Sequence, residues 1–127
     1  MRRKALNTLK KRAEFQKVRG GARWSTASFA IEAKVRAPGA TAPELEQHGG
    51  PRFGLTITKK VGNAVERNRI RRRLKSILTA ASAGARPDTD YVLIARRAAL
   101  DCDYAALEAD VVTALQRVAS PKATKRR

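Results

Sequence analysis

Apolar and polar positions alternate most clearly from Phe29 to Arg36, where Phe29, Ile31, Ala33 and Val35 are separated by Ala30, Glu32, Lys34 and Arg36. A period of two puts these side chains on opposite faces of an extended chain, so the segment reads as a strand with one buried face. Residues 22 to 26 are expected to add a short strand before it. The alternation returns from Arg52 to Lys60, with Phe53, Leu55 and Ile57 on one face and Gly54, Thr56, Thr58 and Lys60 on the other. That second face is small and polar. Tyr91 to Ala95 is a nearly continuous apolar run, the pattern of a central strand covered on both sides.

Helical spacing appears in three other places. A weak pattern through Leu9, Ala13, Phe15 and Val18 predicts a short helix that Gly20 and Gly21 end. Beyond Gly62, the positions Ile70, Leu74, Ile77, Leu78 and Ala81 predict a helix of about five turns, stopped by Gly84 and Pro87. Tyr104, Leu107, Val111, Leu115 and Val118 mark a final amphipathic helix, with Asp101 or Asp103 as its N-cap. The order α-β-β-β-α-β-α predicts an α+β fold with helices packed against a small sheet. A chain of 127 residues fits a single domain. Its basic ends, about 1–8 and 119–127, are expected to be tails. The stretch from Pro38 to Pro51, rich in Pro, Gly and Ala, reads as a flexible connection between strands.

Charge changes the picture. Lys and Arg number 28 against 11 Asp and Glu, for a net charge of +17. Such an excess on a small chain favours a polyanionic partner, above all nucleic acid. No window of about 18 apolar residues suggests a membrane span, and no apolar core follows the basic start as a secretory signal would require. Cytoplasmic residence is expected. The single cysteine, Cys102, excludes an internal disulfide, and with the single histidine, His48, it leaves too few soft ligands for a zinc site. His48 sits in the Pro-rich stretch and reads as a solvated loop residue.

The cations gather at residues 1 to 23, 59 to 75 and 117 to 127, where nine, eight and five basic residues meet one, one and no acid. The middle group is the informative one, because a dense cluster inside a periodic segment must be displayed by the fold. At roughly 100° per residue, Asn68, Arg69, Arg72 and Lys75 fall on the side away from the Ile70, Leu74 and Ile77 stripe, while Arg67 and Arg71 flank it. Guanidinium groups suit phosphate because they donate as a planar fork, and an Asn among them is suited to a base edge or a 2′-hydroxyl. A solvated face laced with ion pairs would need acids, and this segment supplies only Glu66.

The run KKVGNAVERNRIRRRLK is similar to the signature of the bacterial ribonuclease P protein subunit. The resemblance extends upstream through FGLTITKK and LKKRAEFQKV and downstream through DYVLIARRAA. It implies a four-stranded sheet with a left-handed βαβ crossover, a departure from the usual right-handed rule. It also implies contact between the catalytic RNA and the helix after the third strand, through Lys59, Lys60, Arg67, Asn68, Arg69, Arg71, Arg72 and Lys75. A cleft between sheet and N-terminal helix would grip the single-stranded 5′ leader of precursor tRNA, through Phe15, Ala30, Glu32, Thr56 and Thr58. From sequence alone Phe15 reads equally as a stacking platform for an unpaired base and as a core residue. The activity implied is endonucleolytic removal of the leader. Mg²⁺ ions held by the RNA subunit would do the chemistry, with no catalytic residue, cofactor or metal on the protein and no protein partner.

Arg19 and Glu32 stand where many members of that family carry aromatics, and Glu32 is expected to repel phosphate. Two rival readings share the charge and size. A ribosomal protein would lack the Arg-Asn-Arg signature. A self-contained metal-dependent nuclease would have to use Asp88, Asp90, Asp101 or Asp103, which read more naturally as turn and cap residues.

Overall fold

A computed structural model describes residues 8–9, 12–18, 21–35, 51–85 and 89–118. The expected connection at 38–51 and the expected tails, apart from Pro51 and Thr8, lie outside the described residues, as does Arg19. Helix α1 spans Arg12–Val18 and strands β1 and β2 span Ala22–Ser25 and Phe29–Val35. Strand β3 (Arg52–Thr56) leads into helix α2 (Ala64–Ala81), which a 3₁₀ turn at Ser82–Gly84 closes. Strand β4 (Thr89–Ala95), a four-residue helix α3 (Ala98–Asp101) and helix α4 (Tyr104–Val118) follow.

The four strands form one mixed sheet in the order β1-β2-β4-β3. The β1/β2 and β2/β4 pairs are antiparallel, and β3 runs parallel to β4 with α2 as the crossover between them. One face of the sheet carries Phe29, Ile31, Ala33, Phe53, Tyr91 and Leu93 into the main core. There they meet Ile70, Leu74, Ile77 and Leu78 of α2 and Leu107, Val111 and Leu115 of α4. The Phe53 and Tyr91 rings stack with centroids 5.3 Å apart. The fold buries most of the apolar stripes that the sequence spacing predicts, but Ala13, Val35 and Tyr104, at or near the ends of their elements, are exposed. The opposite sheet face holds a smaller apolar cluster, in which Leu9 and Val18 cover Val92, with Phe15 and Ile94 packed alongside. β4 therefore has cover on both sides, as its continuous apolar run requires.

Two local features differ from expectation, and the structure decides between the two expected caps of the last helix. β3 ends at Thr56, because the Val61 amide donates to the Thr58 carbonyl (3.0 Å) and the chain turns there towards α2. Thr58 and Lys60 are therefore exposed turn residues rather than strand positions. Helix α3 is too short to leave a periodic trace in the sequence. Asp103 caps α4, its carboxylate accepting from the Ala106 amide (3.3 Å), whereas Asp101 is the last residue of α3.

Candidate nucleic-acid interface

Two surfaces collect the candidate residues. The first is built on α2. Asn63 caps the helix by accepting from the Glu66 amide (2.9 Å), and the Glu66 carboxylate accepts in return from the Asn63 amide (3.0 Å). This reciprocal box satisfies two of the amides that a helix start leaves open. With the apolar stripe buried at Ile70, Leu74, Ile77 and Leu78, the side chains of Asn68, Arg69, Arg71, Arg72 and Lys75 stand on the open side of the helix, and Lys59 and Lys60 project from the preceding turn. Arg71 donates to the Asn68 side-chain oxygen (2.6 Å), so these two polar groups are already oriented on the surface. Arg67 is half-buried and donates to the Gly62 carbonyl (3.1 Å). Of the residues expected to face RNA, Arg67 is thus the one most engaged with the protein's own backbone.

Arg73, in the middle of the same run, does something different. Its guanidinium donates to the carbonyls of Ala99 (2.8 Å), Leu100 (2.6 Å) and Cys102. These include carbonyls that the end of α3 leaves without helical partners. The Arg73 guanidinium also lies 5.8 Å from the centre of the Tyr104 ring, and the Tyr104 hydroxyl shares a hydrogen bond with Ser76 (3.0 Å). One cation of the cluster is therefore a clamp between α2, α3 and α4.

Glu66, the one acid between residues 59 and 75, accepts a two-pronged contact from Arg97, with Nη1 at 2.8 Å from Oε1 and Nη2 at 2.8 Å from Oε2. The hydrogen bond with Arg97, and after it that from the Asn63 amide, holds the Glu66 carboxyl well below its usual range, at about 2. The same contact raises the Arg97 pKa.

The second surface is the sheet face opposite the main core. Register aligns Arg23, Glu32, Val92 and Gly54 in one row, and Ser25, Ala30, Ile94 and Thr56 in the next. Phe15 lies on Gly54, so close that a Cβ there would meet its ring. Phe15, Ala30, Glu32 and Thr56 are thus brought to one face, and Thr58 is not among them. Ala30 is buried at 1% exposure, so it contributes a flat floor rather than a reachable group. Half-exposed Ile94 and Thr56 continue the row beside it on β4 and β3. Glu32 is not a free negative charge, because Arg23 pairs with it across β1 and β2 at 2.9 Å. The expected repulsion of phosphate by Glu32 is accordingly offset by its neighbour. At the far edge Arg52 makes two bonds to buried Asp90 (2.9 and 2.8 Å), which tie β3 to β4.

Sequence reasoning missed Arg97, Arg23, Ile94 and the part played by Gly54. Of these only Gly54 left a signal, because a lone glycine inside a strand pattern marks a close approach by another group; the Asn63-x-x-Glu66 spacing, that of a capping box, likewise marked the start of α2. Among the described residues no group of three or more His, Cys, Asp or Glu is placed to hold a metal ion, and no helix is long and apolar enough to cross a membrane.

Known proteins resemble this chain in sequence and in fold. The family model for Ribonuclease P matches residues 3–119. The chain is 42% identical over 105 residues to the ribonuclease P protein component of Brucella suis, covering 82% of this chain and 74% of that one. It is 40% identical over 121 residues to its counterpart from Paramagnetospirillum magneticum, covering 94% and 87%. Among solved structures, the RNase P protein of Staphylococcus aureus superposes with a TM-score of 0.69 at 24% identity, covering 90% of this chain and 95% of that one. That of Thermotoga maritima gives 0.70 at 19% identity, covering 87% and 96%. At such identities the structural likeness speaks to the fold.

Proposed function

The chain belongs to the bacterial ribonuclease P protein family, and from that premise we propose that α2 docks the catalytic RNA while the sheet face under α1 receives the 5′ leader of precursor tRNA. As a ribonuclease P protein component it takes part in tRNA 5′ leader processing, within an endoribonuclease ribonucleoprotein that has RNA as its partner.

The observation that carries the proposal is the exposed stripe of Asn68, Arg69, Arg72 and Lys75 on α2, continued by Lys59 and Lys60. Lys and Arg gathered without matching acids bind polyphosphate by releasing its condensed ions, and the guanidinium fork adds geometry. The second surface suits a different ligand. Its floor is small, its aromatic Phe15 is half-buried at the edge, and its Glu32 is paired. Such a surface favours an unpaired strand that lays bases on it over a rigid duplex.

Within this reading the protein orients and neutralises RNA, and hydrolysis of the phosphodiester belongs to Mg²⁺ ions held by the RNA subunit. Among the described residues no group of three or more His, Cys, Asp or Glu is placed to hold a metal ion. Work in the cytoplasm, where tRNA is made, goes with this role. The test is cleavage of precursor tRNA by rigorously RNA-free protein, by the RNA subunit, and by both together. The protein alone is expected to leave the substrate intact, and the combination to cut at the leader junction. Metal-dependent cutting by the protein alone would overturn the assignment.

A further inference from the structure

We propose that Arg97 and Glu66 form a latch that holds the turn from Thr58 to Asn63 in the shape that displays Lys59 and Lys60 beside α2. Arg97 is then a positioning residue for RNA binding, on the reading that α2 is the RNA-facing element.

The turn has few backbone bonds of its own, and charged side chains fix it instead. Its Val61 carbonyl accepts from Arg97 Nη1 (3.1 Å), its Gly62 carbonyl from Arg67 Nε (3.1 Å), and its Asn63 amide donates to Glu66 Oε1 (3.0 Å). Both Glu66 oxygens also take the Arg97 fork at 2.8 Å. Arg97 comes from just beyond the end of β4, an interior strand of the sheet, so the latch ties the turn to a rigid part of the fold. Gly62 is what leaves room for it. A Cβ at residue 62 would stand 2.5 Å from Glu66 Oε1 and 2.7 Å from Arg97 Nη1.

An exposed ion pair adds little to global stability. Its effect is therefore local, on where the two lysines and the first turn of α2 point. The placement also explains why one acid sits among eight cations. If the face were only a charged surface, Glu66 would weaken RNA binding and its removal would strengthen it. A latch predicts the opposite sign.

The experiment measures affinity for the RNA subunit across a salt series, with thermal melts, for the full chain and for Glu66→Gln, Gly62→Ala and Arg69→Ala. Glu66→Gln is expected to weaken binding about threefold to tenfold despite raising net charge, and every phosphate that Lys59 or Lys60 no longer reaches should lower the salt slope by about 0.7 to 0.9. Gly62→Ala should do the same with no change in charge. Its new methyl group displaces the tips of two flexible side chains and asks Glu66 Cβ, 3.1 Å away, to give by a few tenths of an ångström, so the melting temperature should move much less than RNA affinity. Combining the two substitutions should be no worse than the stronger one alone, because both open the same latch. Tighter binding by Glu66→Gln, or wild-type binding by Gly62→Ala, would overturn the latch while leaving α2 as the RNA face. Unchanged affinity in Arg69→Ala would overturn the α2 reading itself, and the latch with it.

Discussion

Phe15 rests on the bare backbone of Gly54, where a Cβ would stand 2.5 Å from its Cε2 and 2.7 Å from its Cζ, with Leu9 Cδ1 at 3.2 Å. The absence of a side chain on β3 is thus what lets α1 settle on the sheet beside Val92. The ring packs against the cluster of Leu9, Val18 and Val92. Gly54→Ala should therefore lift the helix or distort the strand, and overpacking of this kind costs about 1 to 3 kcal/mol. Urea denaturation measures that cost, and precursor tRNA affinity should fall with it because the cleft loses its wall. A midpoint equal to wild type would mean that α1 is not seated as described.

Adjacent arginines of α2 should behave in opposite ways. Arg72 is exposed, so Arg72→Ala should leave the melting temperature near wild type and lower the salt slope of RNA binding by about 0.7 to 0.9. Arg73 donates to three carbonyls around the end of α3. Removing it leaves half-buried acceptors unmet, and hydrogen bonds from a charged donor are worth about 1.5 to 3 kcal/mol each before relaxation and water reduce the loss. Arg73→Ala should lower stability first, with RNA affinity recovering at temperatures where the variant is folded. Equal effects of both substitutions on the salt slope would place Arg73 on the RNA.

That contrast marks how far the sequence was legible. The period-two pattern of Phe29, Ile31 and Ala33 and the helical spacing of Ile70, Leu74 and Ile77 follow from burial, which depends on local periodicity, and the fold buries those same positions. The cluster at 59–75 was visible as charge. Its division was not, because Arg72 and Arg73 look alike until α3 delivers three carbonyls to one of them. Ala98–Asp101 has too few residues to show a period, so its need for a cap was equally hidden. The pairing of Arg23 with Glu32 depends on the β1/β2 register, and that of Arg97 with Glu66 spans 31 positions, a distance over which sequence carries no pattern. Alternation continues past Thr56 and carries Thr58 onto the cleft face, while the chain itself turns away there.

The Glu66 carboxyl gives a pH signature. Its pKa falls from 4.5 to about 2 on folding, through the bond with Arg97 first and the Asn63 amide second. A depressed carboxylate adds stability that is fully present above its unfolded pKa and is lost as pH falls through the folded one. The difference in melting temperature between wild type and Glu66→Gln, small because the pair is exposed, should thus be steady above about pH 5, shrink between pH 4.5 and 2, and close below that range. Added salt should narrow it throughout, since the pair is exposed. A difference that stays constant from neutral pH down to 2 would mean that the Glu66 charge plays no part.

The cleft separates substrate handling from assembly. Mature tRNA lacks the leader, so a residue that touches only the leader should affect precursor binding alone. Phe15 is half-buried over Gly54, in the row next to that of Ala30, Ile94 and Thr56, and it packs with the Leu9, Val18 and Val92 cluster. If a leader base stacks there, Phe15→Ala should cost about 1 to 3 kcal/mol in precursor affinity and nearly nothing for mature tRNA. A ring that only fills space would instead cost about 3 to 5 kcal/mol of folding stability and impair both ligands together. Phe15→Tyr and Phe15→Leu divide these cases, since the first keeps stacking and the second keeps most of the apolar contact without it. Glu32→Gln tests the other end of the row that holds Gly54. It releases Arg23 from its 2.9 Å pairing, and a freed guanidinium beside the strand should tighten precursor binding while mature tRNA binding holds. Equal shifts for precursor and mature tRNA in both Phe15→Leu and Glu32→Gln, with the fold intact by circular dichroism, would send the leader across a different surface.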